Sequence, residues 1–243
     1  RPKFASILVT ALISGLFVSI PVPAFAAACN PNSIDVGNQT IVSFTDVGSC
    51  DWTIPAGVTA VKVLVVGGGS SGGAGKAAVW WPQGGGGGAV VENSNFPISS
   101  STIAVTVGAG GAAINTQGMA STSVNNGGQS RFGTITANGG TAPTNTLAPG
   151  GTSGNGNLGG TSANSPISGG GGGAGGAGSG TTGGVGVNSN ISGTTVMYGS
   201  GGAGSSTNTG SASSGGGSND NPPAANRGGG GSQPTGSSGL ASA

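Results

Sequence analysis

Few side chains in this sequence can do chemistry. Histidine is absent, and the carboxylates are Asp35, Asp46, Asp51, Glu92 and Asp220. Without imidazole the chain lacks the usual general base and a common metal ligand. Asp46 and Asp51 flank a turn near Cys50, where solvated turn residues are expected rather than a paired acid and base. No D-x-[DN]-x-[DN] loop marks a calcium site. Asn219-Asp220-Asn221 reads as a turn ahead of Pro222-Pro223. The expectation is a protein without catalytic residues, cofactor site or metal site, and not an enzyme.

One motif imitates a nucleotide site. In VKVLVVGGGSSGG, Gly67, Gly69 and Gly72 satisfy G-x-G-x-x-G after a strand-like run, and Glu92 follows twenty residues later. A dinucleotide site needs a helix starting at those glycines to receive the pyrophosphate. The following residues, through Trp80-Trp81-Pro82-Gln83 and five glycines, cannot form one. Gly75-Lys76 makes no phosphate loop either, because position 70 is serine and position 77 alanine.

The first residues read as a secretory signal peptide, 1–26. Arg1 and Lys3 form a positive start, and Phe4 to Ile20 is apolar and uncharged. Pro21 and Pro23 break that run, and Ala24-Phe25-Ala26 is a small-x-small cleavage site. A second register, Ala26-Ala27-Ala28, would cut just before Cys29. A membrane-anchoring helix is the weaker reading, since no basic stop-transfer cluster follows. The chain begins with arginine, so further residues are expected upstream. Export also suits the two cysteines, and a Cys29–Cys50 disulfide is expected. The rival, lipidation of Cys29, lacks the branched apolar residue such sites carry and would strand Cys50 as a lone thiol.

Removing residues 1–26 leaves four Lys/Arg against five Asp/Glu. So little charge argues against nucleic acid or an anionic membrane as partner, because both need clustered positive charge. The partners left are the cell envelope, or a surface glycan or protein. Trp80 and Trp81, in a glycine-flanked loop, are the candidate ligand contacts, since aromatic rings supply contact area cheaply. The favoured alternative is that they cover the end of a β core. Asn38-Gln39-Thr40 and Asn190-Ile191-Ser192 are glycosylation acceptors only where a host has the machinery.

The elements that position these residues are strands. Residues 27–138 read as the β-rich part. Ile41–Thr45, Trp52–Ile54, Val58–Val66, Gly88–Glu92, Thr102–Val107 and Ser130–Ala137 are the strand segments, with Val61, Val63 and Val65 on one face of theirs. Glycine and proline interrupt every candidate helix, so no helix is expected after signal removal. Residues 139–204 turn glycine-rich, with a short strand near 194–198, and 205–243 are of low complexity. From Phe132 to Asn219 no residue is charged, and glycine fills 57 of 243 positions in runs such as Gly84–Gly88, Gly169–Gly173 and Gly228–Gly231.

Such tracts either form flexible coil or pack as polyglycine II, the extended helix of three residues per turn. In the packed form each N–H and C=O bonds to a neighbouring helix that no side chain holds away. Ordering a glycine costs about 0.5–1 kcal/mol more than ordering alanine, and each hydrogen bond returns about 1 kcal/mol net. Order therefore requires many lines packed at once against a β core. Tracts near the β region meet that condition, and for residues 205–243 the question stays open.

The string CDWTIPAGVTAVKVLVVGGGSSGG resembles the opening of bacterial glycine-rich domains. TIAVTVGAGGAA, GGQSRFGTITANGG and NISGTTVMYGSGGAG resemble later signatures of that family, from Cys50 to Gly204. The family occurs in secreted and surface-attached proteins and in phage tail proteins. Similar architecture is known in the ectodomain of anaplastic lymphoma kinase and in phage tail-fibre adhesins. The resemblance implies an all-β fold, a β-sandwich-like core joined to a polyglycine II layer, with a role in adhesion or surface structure. Family members usually end in a further glycine run and a closing strand. Here the chain stops at Gly239-Leu240-Ala241-Ser242-Ala243, which reads as a truncated end. The leading expectation is a secreted or cell-surface structural or adhesive module without catalysis. A carbohydrate- or receptor-binding module using Trp80–Trp81 is the second, and a secreted coat without fixed fold beyond Gly139 the third.

Overall fold

The computed structural model describes residues 27–73, 83–113, 125–144, 149–161, 168–204, 216–218 and 222–232. Among them every regular element is a strand: β1 (Ala27–Ala28), β2 (Asn32–Val36), β3 (Gln39–Ser43), β4 (Gly48–Thr53), β5 (Ala60–Val66), β6 (Val90–Pro97), β7 (Thr102–Val107), β8 (Ser130–Phe132), β9 (Ile135–Ala137), β10 (Val187–Ser189) and β11 (Val196–Tyr198). The fold is all-β.

Alternation explains the central strands. In β7, Ile103 and Val105 are buried while Thr102 and Ala104 face outward. In β5, Val63 and Val65 are buried and Lys62 is exposed. A five-stranded sheet runs β1-β4-β7-β8-β9, and β5 pairs with β6 in a separate antiparallel ladder. The two face each other across one core of Val63, Val65, Ala89, Ile103, Val105, Phe132 and Ala137. Aromatic rings close it at the edge. Trp52 meets Phe44 edge-on at 5.5 Å, and Phe96 meets Phe132 at 5.4 Å, spacings at which such pairs add to area burial.

Three elements differ from the sequence reading. Ser130–Ala137 is a hairpin, because Gly133 takes a left-handed φ of 55° and turns the chain so that Phe132 pairs with Ile135. The short strand expected near 194–198 is confined to Val196–Tyr198, and its partner is β10. The unforeseen hairpin β2–β3 turns at Gly37, where φ is 62°. Its β2 is exposed at every position, so no buried alternation announces it.

Glycine segments extend the strands. β5 runs into 67–73, 83–89 runs into β6, β7 runs into 108–113, and 125–129 runs into β8. β9 runs into 138–144, 180–186 runs into β10, and β11 runs into 199–204. The strands thus aim the glycine lines in one direction and stack them side by side.

At the centre of the stack lies the line 84–89. The amides of Gly84 and Gly87 donate to Gly169 O and Gly172 O (3.0 and 2.9 Å), and those of Gly85 and Gly88 to Gly231 O and Gly228 O (2.8 Å each). Gly86 and Ala89 donate to Thr141 O and Asn138 O (3.3 and 2.8 Å). Donor partners therefore repeat every third residue. Acceptors follow the same period: Gln83 O and Gly86 O take the amides of Gly73 and Ser70, and Gly84 O and Gly87 O take those of Gly151 and Gly154. Gly202 N–H donates to Gly85 O. One line bonded to six others with threefold repetition is polyglycine II packing. Residues 228–232, inside the low-complexity end, belong to it.

Candidate functional site

The disulfide expected from the sequence is present, joining Cys29 to Cys50 across 21 residues. It lies where β1 meets β4: Ala27 pairs with Cys50 and Ala28 with Asp51, in parallel, and Cys29 N–H donates to Asp51 O at 3.2 Å. Residues 1–26 lie outside the described residues, as do Trp80, Trp81, Gly75, Lys76 and Asp220. The described neighbours of the tryptophan segment are in contact, with Gly73 N–H donating to Gln83 O at 2.8 Å.

The G-x-G-x-x-G glycines have another task. Gly67 N–H donates to Ala89 O, and Gly69 O accepts from Gly111 N–H. A Cβ on Gly67 or Gly69 would strike the Asn138 or Gly229 carbonyl. Their backbone is committed to neighbouring glycine lines, so no helix N-terminus or phosphate cradle forms there. Glu92 is held on β6, where Lys62 Nζ lies 2.9 Å from its Oε1 and Ser189 Oγ donates to its Oε2 at 2.9 Å. These bonds, from Lys62 first and then Ser189, hold its carboxyl below the ordinary value near 4.5. Asp35 accepts from Thr40 Oγ1 at 2.8 Å within the β2–β3 hairpin.

Polar side chains matter instead as brackets for bare backbone. Ser70 is fully buried, and its hydroxyl donates to Thr141 O at 2.9 Å while accepting Gly86 N–H at 2.8 Å. Asn155 Oδ1 accepts Val90 N–H at 2.8 Å, Asn126 Oδ1 accepts Ala142 N–H at 2.8 Å, and Asn157 Nδ2 donates to Gly173 O at 2.8 Å. The sequence signal for these residues is weak: a serine or asparagine beside a glycine pair, which a loop reading absorbs equally well.

The lattice has two unlike ends. At one end the lines become strands. At the other lie Gly73 and Gln83, Ala113 and Asn125, Thr144 and Pro149, Thr161 and Ser168, and Gly204. The hydrogen-bond registers require this, because lines leaving the sheets and lines returning to them pair antiparallel, as 67 with 89, 70 with 86 and 73 with 83. The molecule thus has sheets and disulfide at one end and the far ends of the described glycine lines at the other. Among the described residues, no three His, Cys, Asp or Glu side chains group as metal ligands.

No curated protein and no solved structure matches the chain. A family model described as a glycine-rich domain matches residues 45–243. That span takes in β4 to β11 and the whole described lattice, and the chain belongs to this glycine-rich domain family.

Proposed function

We propose that this protein is a secreted or cell-surface structural and adhesive module that works without catalysis. The observation that carries the reading is the threefold-repeating bond pattern around Gly84–Ala89. Its polar groups are spent on holding backbone to backbone, which yields a stiff spacer rather than a reaction centre. The disulfide is compatible with an extracellular location. The position of β1 bears on processing: cleavage after Ala26 keeps the Ala27–Ala28 ladder, whereas cleavage before Cys29 would delete it.

The test is to express the chain in a host that exports it and to fractionate the cells. Accumulation at the surface or in the medium, a mature N-terminus at Ala27 and adhesion of coated beads to cell-envelope material support the reading. Retention of the folded chain inside the cell, or beads that attach no better than uncoated ones, refutes it.

A second reading, binding of a surface glycan or protein through Trp80–Trp81, draws on one contact. The Gly73–Gln83 bond joins the two ends of that segment at the end of the lattice away from the sheets. Glycan-array binding that vanishes in the Trp80→Ala, Trp81→Ala double variant supports it. Binding that survives the double variant removes the tryptophans from the site.

A further inference from the structure

The chain holds three Asn-Gly pairs, Asn126-Gly127, Asn138-Gly139 and Asn155-Gly156, and all three lie in the described residues. This dipeptide carries a reaction of its own. The glycine nitrogen attacks the asparagine side-chain carbon, Cγ, and no glycine side chain obstructs the approach. The N–Cγ bond forms, the Cγ–Nδ2 bond breaks, and ammonia leaves with the glycine's amide proton. Water then opens the cyclic imide, at Cγ to give aspartate or at the main-chain carbon to give isoaspartate. One water is consumed and one ammonia released, with no other reactant. In a fold, the step is gated by whether the glycine N–H is free to lose its proton and move.

The lattice treats the three pairs differently. Gly127 N–H donates to Gly140 O at 2.9 Å, and Gly156 N–H donates to Ser153 O at 2.8 Å. The side chains of these pairs are also held by main chain: Asn126 Oδ1 accepts Ala142 N–H and Asn155 Oδ1 accepts Val90 N–H, both at 2.8 Å. Each pair must therefore break two bonds to backbone before its ring can close. At Asn138-Gly139 neither restraint applies. Gly139 N–H has no hydrogen-bond partner among the described residues, and Gly139 is only half-buried. Asn138 is exposed, and its Oδ1 accepts from Gln129 Nε2 at 2.9 Å, the end of an exposed side chain that can swing away. The cause is position. Gly139 sits at the joint between β9 and the line 138–144, past the last ladder pair at Ala137 and before Gly140, whose N–H donates to Gly68 O at 2.9 Å.

We propose that Asn138 is a site of spontaneous deamidation in the folded protein, whereas Asn126 and Asn155 are held closed by the lattice. From Phe132 to Asn219 the chain carries no charge, so the product places a carboxylate in an otherwise neutral stretch, where lattice and sheet join. Opening at Cγ leaves the main chain unaltered, and Asn138 O keeps its bond from Ala89 N–H. Opening at the main-chain carbon inserts an extra carbon into the line and shifts Gly140 away from Gly68. The proposal rests on the lattice alone and is independent of where the protein resides.

The test is to incubate the folded full chain at mildly alkaline pH and to follow the three sites by peptide mapping and mass spectrometry. A parallel sample is held unfolded in urea at the same pH. The expected result in the folded chain is conversion at Asn138 at least tenfold faster than at Asn126 and Asn155. In urea the three sites should convert at similar rates, and Asn138→Gln should remove the fast conversion from the folded chain while the other two sites keep their rates. Three results overturn the proposal: Asn126 or Asn155 converting as fast as Asn138 in the folded chain, all three sites protected equally until the chain unfolds, or the same preference for Asn138 in urea, which would assign it to local sequence.

Discussion

Gly86 packs so closely against Thr152 that a Cβ on the glycine would overlap the threonine carbonyl. Neither backbone can yield alone, because Gly86 N–H is bound by Thr141 O and Ser70 Oγ while Gly86 O accepts Ser70 N–H. Gly86→Ala should therefore cost at least the 1–3 kcal/mol typical of overpacking, about 3 kcal/mol or more here because backbone is struck. Gly176→Ala is the matched control. Its new Cβ would meet only Val185 Cγ2 at 3.2 Å, the end of a side chain. Both changes remove the same unfolded-chain entropy, so the difference between their urea midpoints isolates the crowding. Equal midpoints would refute the close packing.

Ser70 tests the lattice from within, since its fully buried side chain sits between the lines of Gly86 and Thr141. Ser70→Ala keeps the Cβ and deletes a hydroxyl that makes bonds at 2.9 and 2.8 Å. Thr141 O would keep only the 3.3 Å bond from Gly86 N–H, and that amide would lose its shorter partner, so the change should cost about 1 kcal/mol. Chemical denaturation checks the loss, and a change within error would mean that the backbone bonds suffice.

The residues just named mark the border of what the sequence reveals. The buried face of β5 and the whole of β7 are legible because Val63/Val65 and Ile103/Val105 alternate with less buried neighbours. The β8–β9 hairpin is misread as one strand because Gly133 sits inside an unbroken alternation, and its left-handed φ leaves no other trace. The partners of the central line are not legible at all. Glycines carry no side chain whose periodicity could say that Gly84 donates to Gly169 or that Gly85 donates to Gly231. The sequence establishes that the lines can pack, whereas the order of packing depends on the directions set by the strands. Trp80–Trp81, the loop singled out for binding, lies outside the described residues.

Breaking the Cys29–Cys50 link should release β1 and leave the rest folded. The bridge spans 21 residues, and a loop of that size corresponds to about 3 kcal/mol of unfolded-chain entropy. Replacing both cysteines by serine should lower stability by that amount and leave Ala27–Cys29 open to aminopeptidase. Reductant should do the same to the parent chain and nothing to the variant. If reductant leaves the parent chain's urea midpoint unchanged, the bridge does not hold β1.

Acid should weaken the β5–β6 ladder slightly. Glu92 is held below its ordinary value by the Lys62 and Ser189 hydrogen bonds. A carboxyl lowered by folding contributes stability above its unfolded value, near 4.5 here, and loses it as pH falls through the folded value. Both side chains are more than a third exposed, so solvent screening limits the contribution to about 0.5 kcal/mol. Lys62→Met should reduce stability at pH 7 by that small amount and flatten the decline below pH 4.5. Urea titrations of parent and variant at pH 7 and pH 3.5 decide, and parallel declines would assign the acid sensitivity elsewhere.

Amide exchange along Gly84–Ala89 is the most direct test of the lattice. A glycine costs about 0.5–1 kcal/mol more to order than alanine, and each new bond returns about 1 kcal/mol net. One line is therefore barely favourable, and it persists only because six neighbours are ordered with it. Two of those neighbours are continuous with strands that bury the core, 67–73 from β5 and 138–144 from β9, and a third, 199–204, continues β11 of the separate β10–β11 pair. Opening the central line then requires opening the sheets, so lattice and core should form one cooperative unit. The amides of Gly85, Gly86 and Gly87 should exchange as slowly as that of Val65, and all should quicken together as denaturant approaches the unfolding midpoint. Glycine amides that exchange at free-peptide rates while Val65 stays protected would mean that the sheets stand alone and the glycine lines are loose.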